Sequence, residues 1–315
     1  MIVDRLLNSN NYSLISLMLS LIFGKYKPNK LWNKKGFRLK FVLRTLIFPL
    51  CTFNYLNQLL KLPNIKQILS TQGLLPIKLH RPYLCTNFNV IQRAQVIIDH
   101  YNLVNQLENY NLRNCLQTSN RNLLASLNGK KEESFLFYCC PGRFDREGEV
   151  TIELHFESLL ITSLSFSFSM LNEKEDRILL IGGLQGPNKN ISNNVIHDAT
   201  KAAHGLFPKR LVMEAVFLLA KLCKINKIIA VSDTTHIFRS LRYQYSKKDQ
   251  FFASYNKFWF SLGGLMRKDN LFALPLCIER KNLQSIVSKK RSEYRRRYKL
   301  LDSLNDQVCI ILNDK

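Results

Sequence analysis

Val150–Phe156 (VTIELHF), Leu160–Met170 (LITSLSFSFSM) and Ile178–Lys189 (ILLIGGLQGPNK) are the stretches on which the fold turns. In the first, Val150, Ile152, Leu154 and Phe156 point one way, while Glu149, Thr151, Glu153 and His155 point the other. In the second, Leu164, Phe166 and Phe168 oppose a row of serines. A side-chain period of two marks a strand whose two faces meet different surroundings. The third is an apolar strand, Ile178–Ile181, that ends at Gly182-Gly183. Three neighbouring strands with short connections predict an antiparallel meander.

Working outward, Phe135–Cys140 is a further apolar run, stopped by Pro141-Gly142. On the other side a helix is expected over 194–204, ended by Gly205, and Pro208 opens a second over 209–224. That second helix, KRLVMEAVFLLAKLCK, is apolar nearly all round and should be buried. Lys227–Val231 (KIIAV) reads as a short buried strand beside the earlier sheet, and a last strand falls near Leu271–Ile278. The expected fold class is α/β (α+β): a mixed, mostly antiparallel sheet with helices packed on it.

The N-terminal part differs in character. Helices are expected at about 4–23, 34–47, 51–61 and 89–108, punctuated by Pro28, Pro49, Pro63 and Pro76. Residues 1–130 hold 17 Lys or Arg against three acids, Asp4, Asp99 and Glu108; residues 131–315 hold 29 against 20. The expected division is a basic helical region at 1–130, an α/β functional domain at 131–302 and a tail at 303–315.

A net charge of +23 favours polyanionic partners: anionic lipid, phosphate-bearing ligands or nucleic acid. The eight cysteines contain no CxxC pair, and the adjacent Cys139-Cys140 is poor geometry for a structural bridge, so reduced thiols are expected. No stretch is long enough to span a bilayer, and Leu14–Phe23 lacks a cleavage site before Gly24. The expected location is cytoplasmic, with peripheral attachment at the inner membrane as its variant.

Several residues are candidates for chemistry. Gly182, Gly183, Gln185, Gly186 and Lys189 form a glycine-bearing loop that can present N–H groups and a cation to phosphate, although a tight turn explains the glycines equally. Ser232–His236 (SDTTH) follows directly on KIIAV, at the carboxyl end of a strand, where ligands commonly bind. Asp233 and His236 are the candidate acid–base pair; Asp233 as a helix cap is the other reading. His197 and His204 lie on one helix face with Lys201; His204 is a candidate ligand contact, expected to reach one pocket with Gln185, Asp233 and His236, while that spacing is not a metal motif and no metal is expected. In the aromatic stretch Tyr243, Tyr245, Phe251, Phe252, Tyr255, Phe258, Trp259 and Phe260, Tyr255 and Trp259 are the candidate pocket wall. Lys34, Lys35 and Arg38, and late in the chain Lys289, Lys290, Arg291, Arg295, Arg296 and Arg297, are candidate contacts to an anionic surface, or a solvated face.

The strings LSFSF, LLIGGLQGP, IHDATKAAHGLFPKRL, AVSDTTHIFRSLRY, YNKFW and SKKRSEYRRRYKLLD, in that order from about Tyr101 to Asp302, resemble the VirK/YbjX family, most closely its VirK branch. That resemblance implies a bacterial protein tied to virulence and envelope robustness, and it brings no catalytic residues with it. A looser similarity in element order is to the GNAT N-acyltransferases, whose Gln/Arg-x-x-Gly-x-Gly/Ala loop holds the pyrophosphate of an acyl carrier. Gln185-Gly186 fits the start of that loop; Pro187 and Asn188–Asn194 depart from it.

The leading expectation is therefore an acyltransferase-like domain at the inner face of the envelope, with acyl-CoA or acyl-carrier protein as donor. A non-catalytic accessory factor binding anionic lipid or an envelope protein is the second. An RNA-binding regulator is the third, weakened by the lack of any RRM, KH or double-stranded-RNA-binding signature.

Overall fold

The structure, a computed structural model, describes residues 14–117, 119–170, 176–240, 243 and 254–312. Tyr245, Phe251 and Phe252 of the aromatic stretch, the first turns of the expected helix at 4–23 and the last residues of the expected tail lie outside the described residues.

Its centre is one eight-stranded sheet in the order β1-β2-β3-β4-β5-β6-β8-β7. The strands are β1 (Asn122–Asn128), β2 (Ser134–Pro141), β3 (Val150–Phe156), β4 (Leu159–Ser169), β5 (Ile178–Gln185), β6 (Lys227–Ala230), β7 (Leu265–Met266) and β8 (Phe272–Leu274). Every neighbouring pair is antiparallel except β5 and β6, which run parallel with Ile178–Ile181 against Lys227–Ala230. The meander and the placing of KIIAV beside Ile178–Ile181 agree with the pattern of the sequence.

Several expectations need correcting. β1 falls before residue 131 and belongs to the sheet, because its apolar Leu124, Ala125 and Leu127 share the main core. β5 does not stop at Gly182 but continues to Gln185, and β8 is only three residues long.

Eleven helices surround the sheet among the described residues: α1 (Leu14–Ile22), α2 (Lys35–Ile47), α3 (Pro49–Leu60), α4 (Ile65–Thr71), α5 (Leu75–Lys78), α6 (Val90–Asn105), α7 (Tyr110–Gln117), α8 (Asn193–Ala202), α9 (Pro208–Leu222), α10 (Tyr255–Ser261) and α11 (Ser288–Leu312). Pro208 sits at the first position of α9, where its missing N–H costs nothing. Asn89 and Gln92 close a reciprocal capping box at the start of α6. No tail begins at 303, since α11 runs through to Leu312 and buries Leu300, Leu304, Val308 and Leu312 on the main core beside β1.

The apolar face of the meander, Val150, Ile152, Leu154, Leu164, Phe166 and Phe168, packs with α9 and α11. The polar face is buried as well. Ser163, Ser165, Ser167, Ser169, Glu149, Thr151 and Glu153 are all at most 5% exposed. α6 packs on β4 here, and the N-terminal helices bring Trp32, Phe41, Tyr55 and Leu56 into one core with Ile178, Leu180, Ile229 and Val231 of the sheet. The basic helices and the strands thus share a core, and the charge boundary near residue 130 is not a boundary in packing.

Burying a polar face demands partners. Glu149 finds them completely. Its Oε1 accepts from Lys78 Nζ at 2.5 Å and Tyr83 Oη at 2.7 Å, and its Oε2 accepts from Tyr101 Oη at 2.7 Å. Ser167 Oγ completes the set, 2.7 Å from Tyr83 Oη and accepting the Glu149 N–H. Burial pushes the Glu149 carboxyl upward, but Lys78, His100 and the hydrogen bonds together hold it below its ordinary value. Beside it, His100 Nδ1 accepts the Phe168 N–H, and burial lowers the imidazole to about 4.

Candidate functional site

β5 and β6 pair through Ile181 and Ala230, and one further bond, Val231 N–H to Ile181 O at 3.0 Å, closes the ladder. Beyond it the chain after Val231 turns away into Ser232–His236, while β5 runs on to Gln185. The first free donor of that β5 edge, Leu184 N–H, is taken by Tyr255 Oη at 3.2 Å. The gap where the two strands part is the centre of the candidate site.

Glu147, in the loop between β2 and β3, lies over this point and is 1% exposed on its side chain. Gln185 Nε2 donates to its Oε1 at 2.9 Å, and His236 Nε2 lies 3.3 Å from the same oxygen. Glu147 Oε2 is buried with no hydrogen-bond partner among the described residues. The glycine pair explains how this loop reaches the strand. A Cβ on Gly182 would lie 2.2 Å from the Glu147 carbonyl oxygen, and one on Gly183 would lie 2.0 Å from Glu147 Oε2. Gly182 and Gly183 therefore sit inside β5 as the floor for Glu147, covered by its backbone and carboxyl group. Gly186 differs, since a Cβ there would meet nothing within 4 Å. It stands exposed with Lys189 on the loop leading to α8.

His236 is fully buried and held on several sides. Its Nδ1 accepts the Phe238 N–H at 3.3 Å, which puts the remaining proton on Nε2, facing Glu147. Its ring stacks on Tyr255 at 5.3 Å, and Tyr255 stacks on Trp259 at 6.1 Å. Trp259 Nε1 donates to Val231 O at 2.8 Å, tying this aromatic column to the end of β6. Tyr255 and Trp259 thus stack beside His236 as buried side chains.

Asp233 does not orient His236. Its Oδ1 accepts the Tyr255 N–H at 2.6 Å, at the first residue of α10, and its own N–H donates to Asn256 Oδ1. The expected pair is corrected in this respect: the carboxyl group facing His236 is that of Glu147, and Asp233 fixes the start of α10. Glu147 was not legible as a site residue, because Asp145, Glu147 and Glu149 look alike in a loop. The signal that pointed to it was the glycine pair inside a strand, which marks a close approach by something else.

His204 lies elsewhere. It adopts φ +53° at the end of α8 and lines a cleft of about 1050 Å³ with Lys130, Lys131, Lys201, Lys289 and Arg296. Of the late basic cluster, Lys289, Lys290, Arg295 and Arg296 are exposed. Arg297 is engaged, donating twice to His204 O and pairing with Glu293 at 3.0 Å, and Arg291 donates to Ile286 O. Arg38 is likewise committed, donating to Trp32 O at 2.9 Å, whereas Lys34 and Lys35 are exposed. Among the described residues no three His, Cys, Asp or Glu side chains converge as a metal site.

The comparisons with known proteins bear on the whole chain. It is 41% identical to "Uncharacterized protein YbjX" of Escherichia coli over 310 residues, 96% of this chain and 91% of that protein. Two proteins of Haemophilus influenzae, each named "Uncharacterized protein", are similar over shorter stretches: 32% identical across 44% of this chain and 50% of theirs, and 36% across 40% and 41%. No solved structure matches. The model of the family described as "Protein of unknown function (DUF535)" matches residues 30–309. Together with the match to YbjX, this places the chain in the DUF535, or VirK/YbjX, family.

Proposed function

We propose that this chain is an acyltransferase of the bacterial envelope, moving an acyl group from a phosphate-bearing carrier, acyl-CoA or acyl-carrier protein, to an amine or hydroxyl. The observation that carries the reading is Glu147 at the parting of β5 and β6, with Oε1 held by Gln185 and faced by His236 while Oε2 has no hydrogen-bond partner among the described residues. A parallel pair that ends early leaves the longer strand with an edge that its neighbour does not cover, and an extended carrier arm can add to such an edge as a strand does. The reading also draws on the resemblance in element order to the N-acyltransferases. The exposed Gly186–Lys189 loop is where the carrier's phosphates would lie.

In this reading Glu147 Oε2 takes the proton of the incoming amine or hydroxyl as that group attacks the thioester carbonyl. The carbon–sulfur bond then breaks, and the departing thiolate takes up the proton that Glu147 accepted, which returns the carboxylate. His236 is fully buried, with Nδ1 accepting the Phe238 N–H and Nε2 3.3 Å from Glu147 Oε1, and in this reading it is a positioning residue for Glu147. The test is release of free thiol from acyl-CoA and acyl-carrier-protein thioesters by the purified full chain, supplied with an amine acceptor such as polyamine or lysyl peptide. Glu147→Gln should lower turnover by about 10²-fold or more while leaving carrier binding intact. Undiminished turnover in that variant would remove Glu147 as the base. No turnover and no thermal stabilisation by any thioester would favour the accessory, lipid- or protein-binding reading instead.

A further inference from the structure

The elbow between α2 and α3 has no role in the site above. The two helices meet at Phe48-Pro49 and bend by 113°. Their inner side is buried through Phe41, Thr45, Thr52, Tyr55 and Leu56. Their outer side is not covered: Leu46, Ile47, Phe48, Pro49 and Leu50 are five consecutive exposed residues, with Leu46 at 70% and Leu50 at 79%. Leu39 and Leu43 continue this stripe back along α2 at helical spacing. α1, which packs on both helices, adds a second stripe of its own, Ile15, Leu19 and Phe23. Single exposed leucines are ordinary, but a run of large apolar side chains at the tip of a bend marks a contact surface.

The surrounding charge identifies what is contacted. Between Asp4 and Asp99 the sequence has no acidic residue at all, and Leu14–Lys61 carries nine Lys or Arg. Lys25, Lys27, Lys30, Lys34, Lys35 and Lys40 are exposed in the segment that leads into α2 and along its first turns. A wedge of leucine, isoleucine and phenylalanine at the end of a lysine-bearing helix matches the boundary between acyl chains and anionic headgroups. A nucleic acid would use the lysines and leave the wedge in water. Among the described residues no single helix is long and apolar enough to cross a membrane; α2 and α3 pass that test only as a pair bent by 113°, and Phe41, Thr45, Thr52, Tyr55 and Leu56 on their inner side are buried in the protein, which favours contact with the surface over a span.

We propose that the α2–α3 elbow inserts Leu46, Ile47, Phe48 and Leu50 into an anionic lipid surface, with these lysines on the headgroups. The proposal is independent of acyl transfer, since neither Glu147 nor the β5 edge takes part in it. The test is co-flotation of the full chain with vesicles of phosphatidylcholine alone and of phosphatidylcholine with about one-third phosphatidylglycerol. Binding is expected to the anionic vesicles. Leu46→Ser/Leu50→Ser should lower it more than about tenfold at both low and high salt, since the loss is of buried apolar surface. Lys35→Gln/Lys40→Gln should lower it at low salt only. In Leu50→Trp the added indole should shift to shorter emission wavelength when anionic vesicles are added. The proposal is overturned if the wild type does not float, if the double serine variant floats as well as the wild type, or if that variant converts a dimer to a monomer, which would show a second copy covering the elbow.

Discussion

Glu147 and Glu149 are two residues apart, both buried, and opposite in how they are satisfied. Glu149 looks into the interface between the sheet and the N-terminal helices, where Lys78, Tyr83 and Tyr101 occupy both of its oxygens. Glu147 looks onto β5 at the strand parting, where one oxygen is held and the other is not. A buried ion pair with both carboxylate oxygens hydrogen-bonded is a joint in the architecture. A buried carboxyl group with an oxygen left over holds capacity that packing does not use. The contrast separates what fixes the N-terminal helices to the sheet from what can act on a ligand.

The largest effects should fall on the Glu149 side. Lys78→Met leaves Glu149 buried without its cation, and Glu149→Gln leaves Lys78 without its anion; either should cost about 3–5 kcal/mol. Urea unfolding measures this directly. A loss below about 1 kcal/mol in both variants would show that the pair is not a joint and would break the comparison.

Next comes pH. His100 is lowered to about 4 by burial, against an ordinary 6.5. His80 is also lowered to about 4, by burial and then by Arg44 and Arg93. An imidazole kept neutral in the fold but free to take a proton when unfolded stabilises fully above pH 6.5 and loses that contribution as pH falls toward 4. For His100, which is completely buried, the loss is on the order of 3 kcal/mol; for the less buried His80 it is smaller. Urea midpoints should therefore drop steeply between pH 6.5 and 4, and His100→Gln should flatten the slope. An unchanged slope in that variant would move acid sensitivity away from the Glu149 region.

Gly183→Ala tests the floor beneath Glu147. The added carbon would sit 2.0 Å from Oε2, so the carboxyl group must move, at about 1–3 kcal/mol and with loss of the Gln185 and His236 geometry. The same change at Gly186, where nothing is near, should be almost neutral. Equal costs at the two positions would mean that the close approach of Glu147 is not what Gly183 serves.

These pairs also show how far the sequence is readable. The alternation of VTIELHF and LSFSF reports local geometry, so the meander and its apolar face are legible. What covers the polar face is not, because Lys78, Tyr83 and Tyr101 reach Glu149 on that face from 48 to 71 positions away in the chain. A row of serines reads the same whether it meets water or a helix. At the strand parting, Gln185 and His236 stood out by their place after strand ends and Tyr255 and Trp259 by an aromatic-dense stretch, while the carboxyl group that faces His236 was not legible. Asp233 is three residues from His236 in sequence, yet it is spent on the first N–H of α10. Nearness along the chain suggested a pairing that the turn after β6 does not make.

The smallest effect on stability, and the sharpest test of the comparison, is Glu147→Gln. The substitution keeps the Oε1 acceptor for Gln185 and His236 and changes only the oxygen that has no hydrogen-bond partner among the described residues. Removing an incompletely paired buried carboxylate is commonly neutral or stabilising, so the urea midpoint should stay within about 1 kcal/mol of the wild type or rise. The same isosteric change two residues on, Glu149→Gln, should lower it by about 3–5 kcal/mol. Two chemically identical substitutions, two residues apart, are thus expected to differ by several kcal/mol and even in sign. If both are strongly destabilising, Glu147 is a second structural joint and its open oxygen carries no function. If Glu147→Gln is neutral and thiol release from acyl carriers is lost with it, the division between the two carboxyl groups is a division between holding the fold and using it.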